Sequence, residues 1–324
     1  MKNYEQLAEY FEEQLHKIKY NDKPLELYNP IKYTLSFGGK RIRPVITLMG
    51  CELFCDDYKK ALPQAIAIEL FHNFTLIHDD IMDNAPIRRG KETVFKKWDS
   101  NIAILSGDTL FALAYHYAQQ ADKEILQDTL AVFNKTAIEV CEGQQFDLNF
   151  ENNNNVSVDE YINMIRLKTG VLFGASIKIG ALIGGAPKDD ARLLYDFGVN
   201  IGLGFQLKDD LLDTFGNENI FGKKTGGDII TNKKTFLYLK ALEVADNETR
   251  EKLISLYNMP DIDPDYKVKS VNSIFTKFQI DITANKEIEK YFIAGMENLD
   301  NINISVSKRQ YLRETAVKMI DRNK

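Results

Sequence analysis

The sequence predicts an all-α chain, and three observations carry that prediction. Only eight prolines occur in 324 residues, and none falls between Pro86 and Pro187 or between Pro187 and Pro260, so two long windows are open to continuous helix. The spacing inside them follows three-and-four steps, as at Ile104, Leu105, Thr109, Ala112 and Tyr115. No run alternates apolar and polar residues as a half-buried strand would. With 44% hydrophobic residues the chain can bury a large core, as one domain or two, and a single domain over residues 1–324 is expected.

Taken in order, residues 1–19 read as an amphipathic helix, and Pro24 and Pro30 bracket the next short turn. Phe37-Gly-Gly-Lys-Arg-Ile-Arg-Pro44 follows, placing Lys40, Arg41 and Arg43 at the start of a helix expected to reach about Phe54. Cations joined to the free N–H groups and positive end of a helix make an anion site. The next helix starts near Leu62, carries His72, and is expected to stop at Pro86, with Arg88 and Arg89 on the loop beyond.

Helices are expected over 101–120 and 123–150, then a loop over 151–155, then a long stretch over 159–185. That stretch contains Lys168-Thr169-Gly170 and a series of small residues, Gly174, Ala175, Gly180 and Gly184, which suit close approach of backbone to backbone or to a ligand. A second glycine-rich stretch over 221–228 lacks the preceding strand and the spacing of a P-loop. From 233 to 324 the chain reads as helix broken around Pro260 and Pro264 and shows no chemistry of its own; residues 322–324 either help close a site or fray.

The chemistry lies in two copies of one motif. Asp79, Asp80 and Asp83 form a DDxxD, and Asp209, Asp210 and Asp213 form another. On a helix the first and last acids of each stack one turn apart, and oxygen-only ligands favour magnesium over zinc. Both copies sit among apolar residues, LIHDDIM and LKDDLLD, where acids are costly without cations or partners. Gln206 shares a helical stripe with the second copy, and His72, two turns before Asp79, shares a face with the first. An arginine pair beside such a site suits a polyphosphate.

A formal net charge of −6 argues against a nucleic-acid partner. Cys51, Cys55 and Cys141 have neither an even count nor metal-ligand spacing, which fits a reducing cytosol without disulfides or zinc. The N-terminus has no apolar signal core, and the most apolar segment, 171–186, is interrupted by Lys178 and too short to span a bilayer, so no membrane anchor is expected.

In order, GGKRIRP, DDIMD with its trailing RRG, KTG, FQLKDDLLD and GKKTGGD with Lys233 resemble the trans-isoprenyl diphosphate synthases over residues 37–235. The resemblance implies an all-α isoprenoid synthase fold, a large antiparallel helical bundle around a deep central cavity with the two acid motifs facing each other across its mouth. It implies condensation of isopentenyl diphosphate with an allylic diphosphate (dimethylallyl, geranyl or farnesyl), three magnesium ions and a cytoplasmic homodimer.

Residue by residue, the resemblance gives Asp79, Asp80, Asp83, Asp209, Asp210 and Asp213 to the metal. Arg88, Lys168, Lys223 and Lys233 fall to the allylic diphosphate, and Lys40, Arg43, His72 and Arg89 to the diphosphate of isopentenyl diphosphate. Thr169 and Gln206 lie near the breaking carbon–oxygen bond.

Product length rests on side chains one or two turns before Asp79. Phe74 and Phe71, three apart, can share a face, either as ordinary core or as the floor that the resemblance makes of Phe74. Thr75 is not aromatic and DDIMD has no insertion, departures from farnesyl synthases that favour a geranylgeranyl product, with farnesyl next. A class I terpene cyclase and a non-catalytic partner subunit are the alternatives. The isopentenyl pocket argues against the first, and the intact aspartates against the second.

Overall fold

The computed structural model describes residues 1–21, 23–153, 155–216 and 225–321. The elements begin with α1 (Tyr4–His16), α2 (Leu25–Leu35), α3 (Ile42–Phe54), α4 (Leu62–Met82), a hairpin of β1 (Ile87–Arg88) and β2 (Lys91–Glu92), α5 (Val94–Lys97) and α6 (Ser100–Ala118). They continue with α7 (Lys123–Asn152), α8 (Val158–Ile165), a π-turn (Arg166–Gly170), α9 (Val171–Ile183) and α10 (Lys188–Phe215). After residue 225 come α11 (Gly227–Ile230), α12 (Phe236–Val244), α13 (Asn247–Asn258), α14 (Pro264–Lys277), α15 (Ile280–Asp300) and α16 (Val306–Ile320). The all-α expectation therefore holds, the hairpin being the one sheet among the described residues.

The chain divides into two compact units. The first comprises Met1–Asn134, Ala175–Leu194 and Asn303–Leu312. Its α1 opens on a capping box between Asn3 and Gln6 and buries Leu7, Phe11 and Leu15 at four-residue steps. Helix α3 is buried along its whole length from Pro44 to Leu53. Gly184, just past the end of α9, lies against it so closely that a Cβ there would come within 2.5 Å of the Cys51 carbonyl oxygen. Backbone-to-backbone packing is thus the use of Gly184, one of the two readings its sequence allowed.

Helix α4 ends earlier than Pro86. Asp83 caps it, Asn84 takes a left-handed φ of 51°, and Ala85 and Asn84 donate to the carbonyls of Asp80 and Ile81. This is a Schellman closure with asparagine in the glycine position, so local hydrogen bonding stops the helix before proline can. Arg88 and Arg89 are not on a plain loop: Ile87 pairs with Glu92 and Arg88 with Lys91. Arg89 and Gly90, both at positive φ, form the two-residue turn, as a type I′ hairpin requires. Strands of two residues are too short to show alternation in the sequence.

The second unit comprises Lys135–Gly174, Tyr195–Ile302 and Arg313–Lys324. Its core places Leu203, Leu207 and Leu211, one face of α10, with Phe236, Leu253, Val271, Phe275 and Ile288. A seam of glycines joins the head of α9 to α10: a Cβ on Gly202 would lie 2.9 Å from the Gly170 Cα, and one on Gly198 2.7 Å from the Gly174 Cα. Lys234 donates to the carbonyls of Phe150 (2.8 Å) and Asn153 (2.6 Å) at the end of α7.

Candidate active site

In the first unit, the closure of α4 and the hairpin bring Arg88 back over the acids. Its Nε is 2.7 Å from Asp80 Oδ1 and its Nη2 3.4 Å from Asp79 Oδ2. Asp80 is 4% exposed, and burial pushes its carboxyl up to about 6, Arg88 opposing the shift and the Asp79 and Asp83 charges adding to it. A crowded, buried set of carboxylates whose ionisation is resisted in this way is suited to a hard cation. Among the described residues, however, no three acid, His or Cys side chains converge on one ion position, and Arg88 supplies the positive charge there instead.

The basic run before α3 separates by role. Arg41 turns inward, 5% exposed, and pairs with Glu69 (2.5 Å) and Glu12 (2.7 Å), so it is not part of the anion site its sequence position suggested. Lys40 stays exposed, and Arg43 lies 3.3 Å from His72 Nε2. Desolvation, then the guanidiniums of Arg43, Arg89, Arg88 and Arg41, push the His72 imidazole well below its usual range. Arg89 donates to the Gly38 carbonyl, and a Cβ on Gly39 would come 2.6 Å from Arg89 Nη1. The glycine pair therefore makes room for a guanidinium, and Lys40, Arg43, His72 and Arg89 are gathered around α3's start and α4.

Phe71 and Phe74 touch, with ring centroids 5.6 Å apart, and both belong to a larger aromatic group. Phe74 stacks on Phe111 at 5.0 Å and 24°, and Phe71 meets Phe133 edge-on at 5.6 Å. Thr75 spends its hydroxyl on the His72 carbonyl at 2.8 Å. Phe111 and Phe133 come from α6 and α7, distances along the chain that periodicity cannot bridge.

In the second unit the π-turn carries Lys168 and Thr169. Such an extra residue in a helix turn breaks the i to i+4 register and re-aims side chains, a frequent device at functional sites. Lys168 Nζ pairs with Asp147 at 2.6 Å, and the Thr169 hydroxyl donates to Gln206 Oε1 at 3.1 Å. Gln206 Nε2 then donates to Asp210 Oδ1 at 3.0 Å, and Tyr161 donates its hydroxyl to Asp210 Oδ2. Burial and Asp228 push the Asp210 carboxyl upward.

Asp213 departs from the stripe: its carboxylate accepts from the Asp228 backbone N–H at 2.9 Å. The residues lining a cavity of about 100 Å³ include Asp147, Lys168, Thr169, Gln206, Asp210 and Lys233. Lys223 lies outside the described residues. Sequence reasoning missed Asp147, Tyr161 and Asp228; Tyr161 stands seven before Lys168, a helical spacing that signals a shared face.

The sequence profile of the polyprenyl synthetase family matches residues 24–275. The chain belongs to the polyprenyl synthetase family. As a member it is a prenyltransferase with the family's activity, synthesis of short-chain trans-prenyl diphosphates.

A geranylgeranyl diphosphate synthase of Methanosarcina mazei is 43% identical to this polyprenyl synthetase over 223 residues, 68% of this chain and 69% of that one. A geranylgeranyl pyrophosphate synthase of Geoglobus acetivorans is 36% identical over 318 residues, 98% and 97% of the two chains. A crystal structure of a geranylgeranyl pyrophosphate synthase matches with a TM-score of 0.95 at 42% identity, covering 100% of both chains. Among the described residues of this polyprenyl synthetase, no helix is long and apolar enough to cross a membrane.

Proposed function

We propose that the protein joins isopentenyl diphosphate head-to-tail to dimethylallyl, geranyl or farnesyl diphosphate, releasing pyrophosphate, with geranylgeranyl diphosphate as its product and farnesyl diphosphate next in line. In this reading residues 1–324 act as one magnesium-dependent synthase domain in a cytoplasmic homodimer. The family match running through stretches of both units supports the single domain.

The observation that carries the reading is the division of cations in the first unit. Arg88 is committed to the acids of α4, whereas Arg43 and Arg89 are committed to His72 and the Gly38-Gly39 backbone. Two differently partnered cationic groups suit two diphosphates, and a terpene cyclase needs only one.

Asp79, Asp80, Asp83, Asp209, Asp210 and Asp213 would hold three magnesium ions with bound diphosphate, which supply charge stabilisation to the departing pyrophosphate. Arg88, Lys168, Lys223 and Lys233 grip that allylic diphosphate, Arg88 turning to it from Asp80. Lys40, Arg43, His72 and Arg89 hold isopentenyl diphosphate with its alkene toward the allylic carbon. With its proton committed to Gln206, the Thr169 oxygen offers lone pairs to the developing carbocation. Phe74, backed by Phe71 and Phe111, limits the growing chain, and these apolar rings help keep water from the cation.

The test is incubation of the purified protein with magnesium, labelled isopentenyl diphosphate and each allylic diphosphate in turn. A discrete twenty-carbon diphosphate is expected. A fifteen-carbon or much longer product would leave the chemistry and refute the assigned length. Failure to condense any pair overturns the reading, and cyclic hydrocarbon from a preformed prenyl diphosphate would assign a cyclase.

A further inference from the structure

Arg41 is the odd member of the run from Lys40 to Arg43. It adopts a left-handed φ of 48°, which side-chain-bearing residues seldom take, and buries its guanidinium while its neighbour Lys40 is exposed. Every arm of the fork is used: Nε and Nη2 on the two Glu12 oxygens at 2.7 and 3.2 Å, Nη1 on Glu69 at 2.5 Å, and Nη2 also on the Leu35 carbonyl at 2.8 Å. Asn73 Nδ2 completes the group on Glu69 at 3.1 Å.

Two rungs therefore join the start of α3 to α4. Arg41 to Glu69 is one, and Arg43 to His72 is the other, three residues further along α4. Helix α1 holds the same segment from a further side, through Glu12 on Arg41 and through the Tyr4 hydroxyl on the Lys40 carbonyl. A buried ion pair is poor evidence of added stability, since well-packed apolar side chains often replace one without loss. What this pair supplies is direction. With Arg41 drawn inward on a left-handed backbone and its fork tied to Glu12 and Glu69, the short backbone that carries Lys40 and Arg43 is fixed between α1 and α4.

We propose that Arg41, held by Glu12 and Glu69, is a positioning residue that sets Lys40 and Arg43 against His72 for the diphosphate of isopentenyl diphosphate. The inference rests on the reading of those residues as the isopentenyl pocket. It makes α1, and Glu12 in particular, part of that pocket's specificity although neither touches the ligand.

The experiment is steady-state kinetics on the full-length protein carrying Arg41→Met, Arg41→Lys, Glu12→Gln or Arg43→Ala, with both substrates varied and thermal unfolding followed alongside. A misplaced binding group loses affinity for one ligand, so Arg41→Met and Glu12→Gln should each raise KM for isopentenyl diphosphate about tenfold while leaving KM for the allylic substrate unchanged. Arg41→Lys should not rescue, because one ammonium cannot reproduce a fork shared among three acceptors.

Glu12→Gln changes a partner that is 33% exposed and keeps the experiment decisive should Arg41→Met fail to fold. Equal rises in both KM values, or a lowered melting temperature with both KM values intact, would reduce Arg41 to a structural ion pair and overturn the inference. If Arg43→Ala raises KM for isopentenyl diphosphate and the Arg41 and Glu12 variants do not, the pocket stands and the positioning role falls. If Arg43→Ala itself leaves that KM unmoved, the pocket reading fails and the inference with it.

Discussion

Arg88 Nε lies 2.7 Å from Asp80 Oδ1, so a guanidinium sits where the acids of α4 meet. This one guanidinium offsets only part of the charge of Asp79, Asp80 and Asp83, and on the proposed reading metal ions would offset the rest while Arg88 turns to the diphosphate. Asp80→Asn should then reduce kcat by about 10²–10⁴-fold, the several kcal/mol that metal-centred charge stabilisation supplies. Removing divalent ions with a chelator should abolish turnover, and adding back magnesium should restore it in the wild type. Wild-type turnover that survives chelation would refute the metal assignment.

Gly143 on α7 lies directly against the backbone of the π-turn. A Cβ there would meet the Lys168 backbone nitrogen and lie 2.7 Å from its Cα, and backbone cannot swing aside as a side chain can. Gly143→Ala gains a little helix propensity, but overpacking outweighs it, and a net loss of about 1–3 kcal/mol in unfolding free energy is expected. Because the displaced backbone is that of Leu167 and Lys168, next to Thr169 in the π-turn, kcat should fall with it. Chemical denaturation and initial rates read the two effects separately, and a more stable, fully active variant would refute the packing argument.

Phe74 rests on Phe111 in a stacked pair, and Phe71 supports it from the core. Phe74→Ala should open the floor by one ring and shift products toward twenty-five carbons. Phe74→Ala with Phe111→Ala should carry the shift further. Chromatography of the products decides this, and an unchanged distribution in both variants removes the aromatic group from length control.

His72 titrates below its unfolded value because desolvation and four arginines oppose its charge. The unfolded chain therefore binds this proton first as pH falls, so the stability His72 contributes is complete above the unfolded value and is lost on acidification below about 6.5. Asp80, whose carboxyl is raised to about 6, works in the opposite direction over the lower part of that window, since the folded state binds its proton first. Comparing wild type with His72→Gln isolates the histidine: the melting temperature of the variant should fall less between pH 7 and pH 5. Parallel curves would show that His72 carries no such linkage.

The legible part of this molecule is what helix geometry dictates locally. Asp79 and Asp80 near the end of α4, Gln206 and Asp210 on α10, and the windows between prolines all follow from the 3.6-residue repeat. Arg41 was misread because its direction depends on Glu12 and Glu69, which lie 29 positions before it and 28 after it. The hairpin that returns Arg88 to Asp80 was hidden by its brevity, and the π-turn because one extra residue in a helix leaves no trace in composition. Asp147 and Phe133 were invisible for a related reason, since each meets its partner only once two distant helices have packed.

The seam of Gly170 and Gly174 against Gly198 and Gly202 has a consequence for how the enzyme can change over generations. Thr169 and Gln206 ride on the two helices that this seam brings together, so their 3.1 Å contact is inherited from positions that have no side chain at all. Any methyl group added there acts as a spacer between the helices and is felt as a lengthened reach between Thr169 and Gln206. On the roles proposed for Thr169 and Gln206, folding and turnover are tested at the same four glycines, and a lineage cannot relax one without exposing the other to selection.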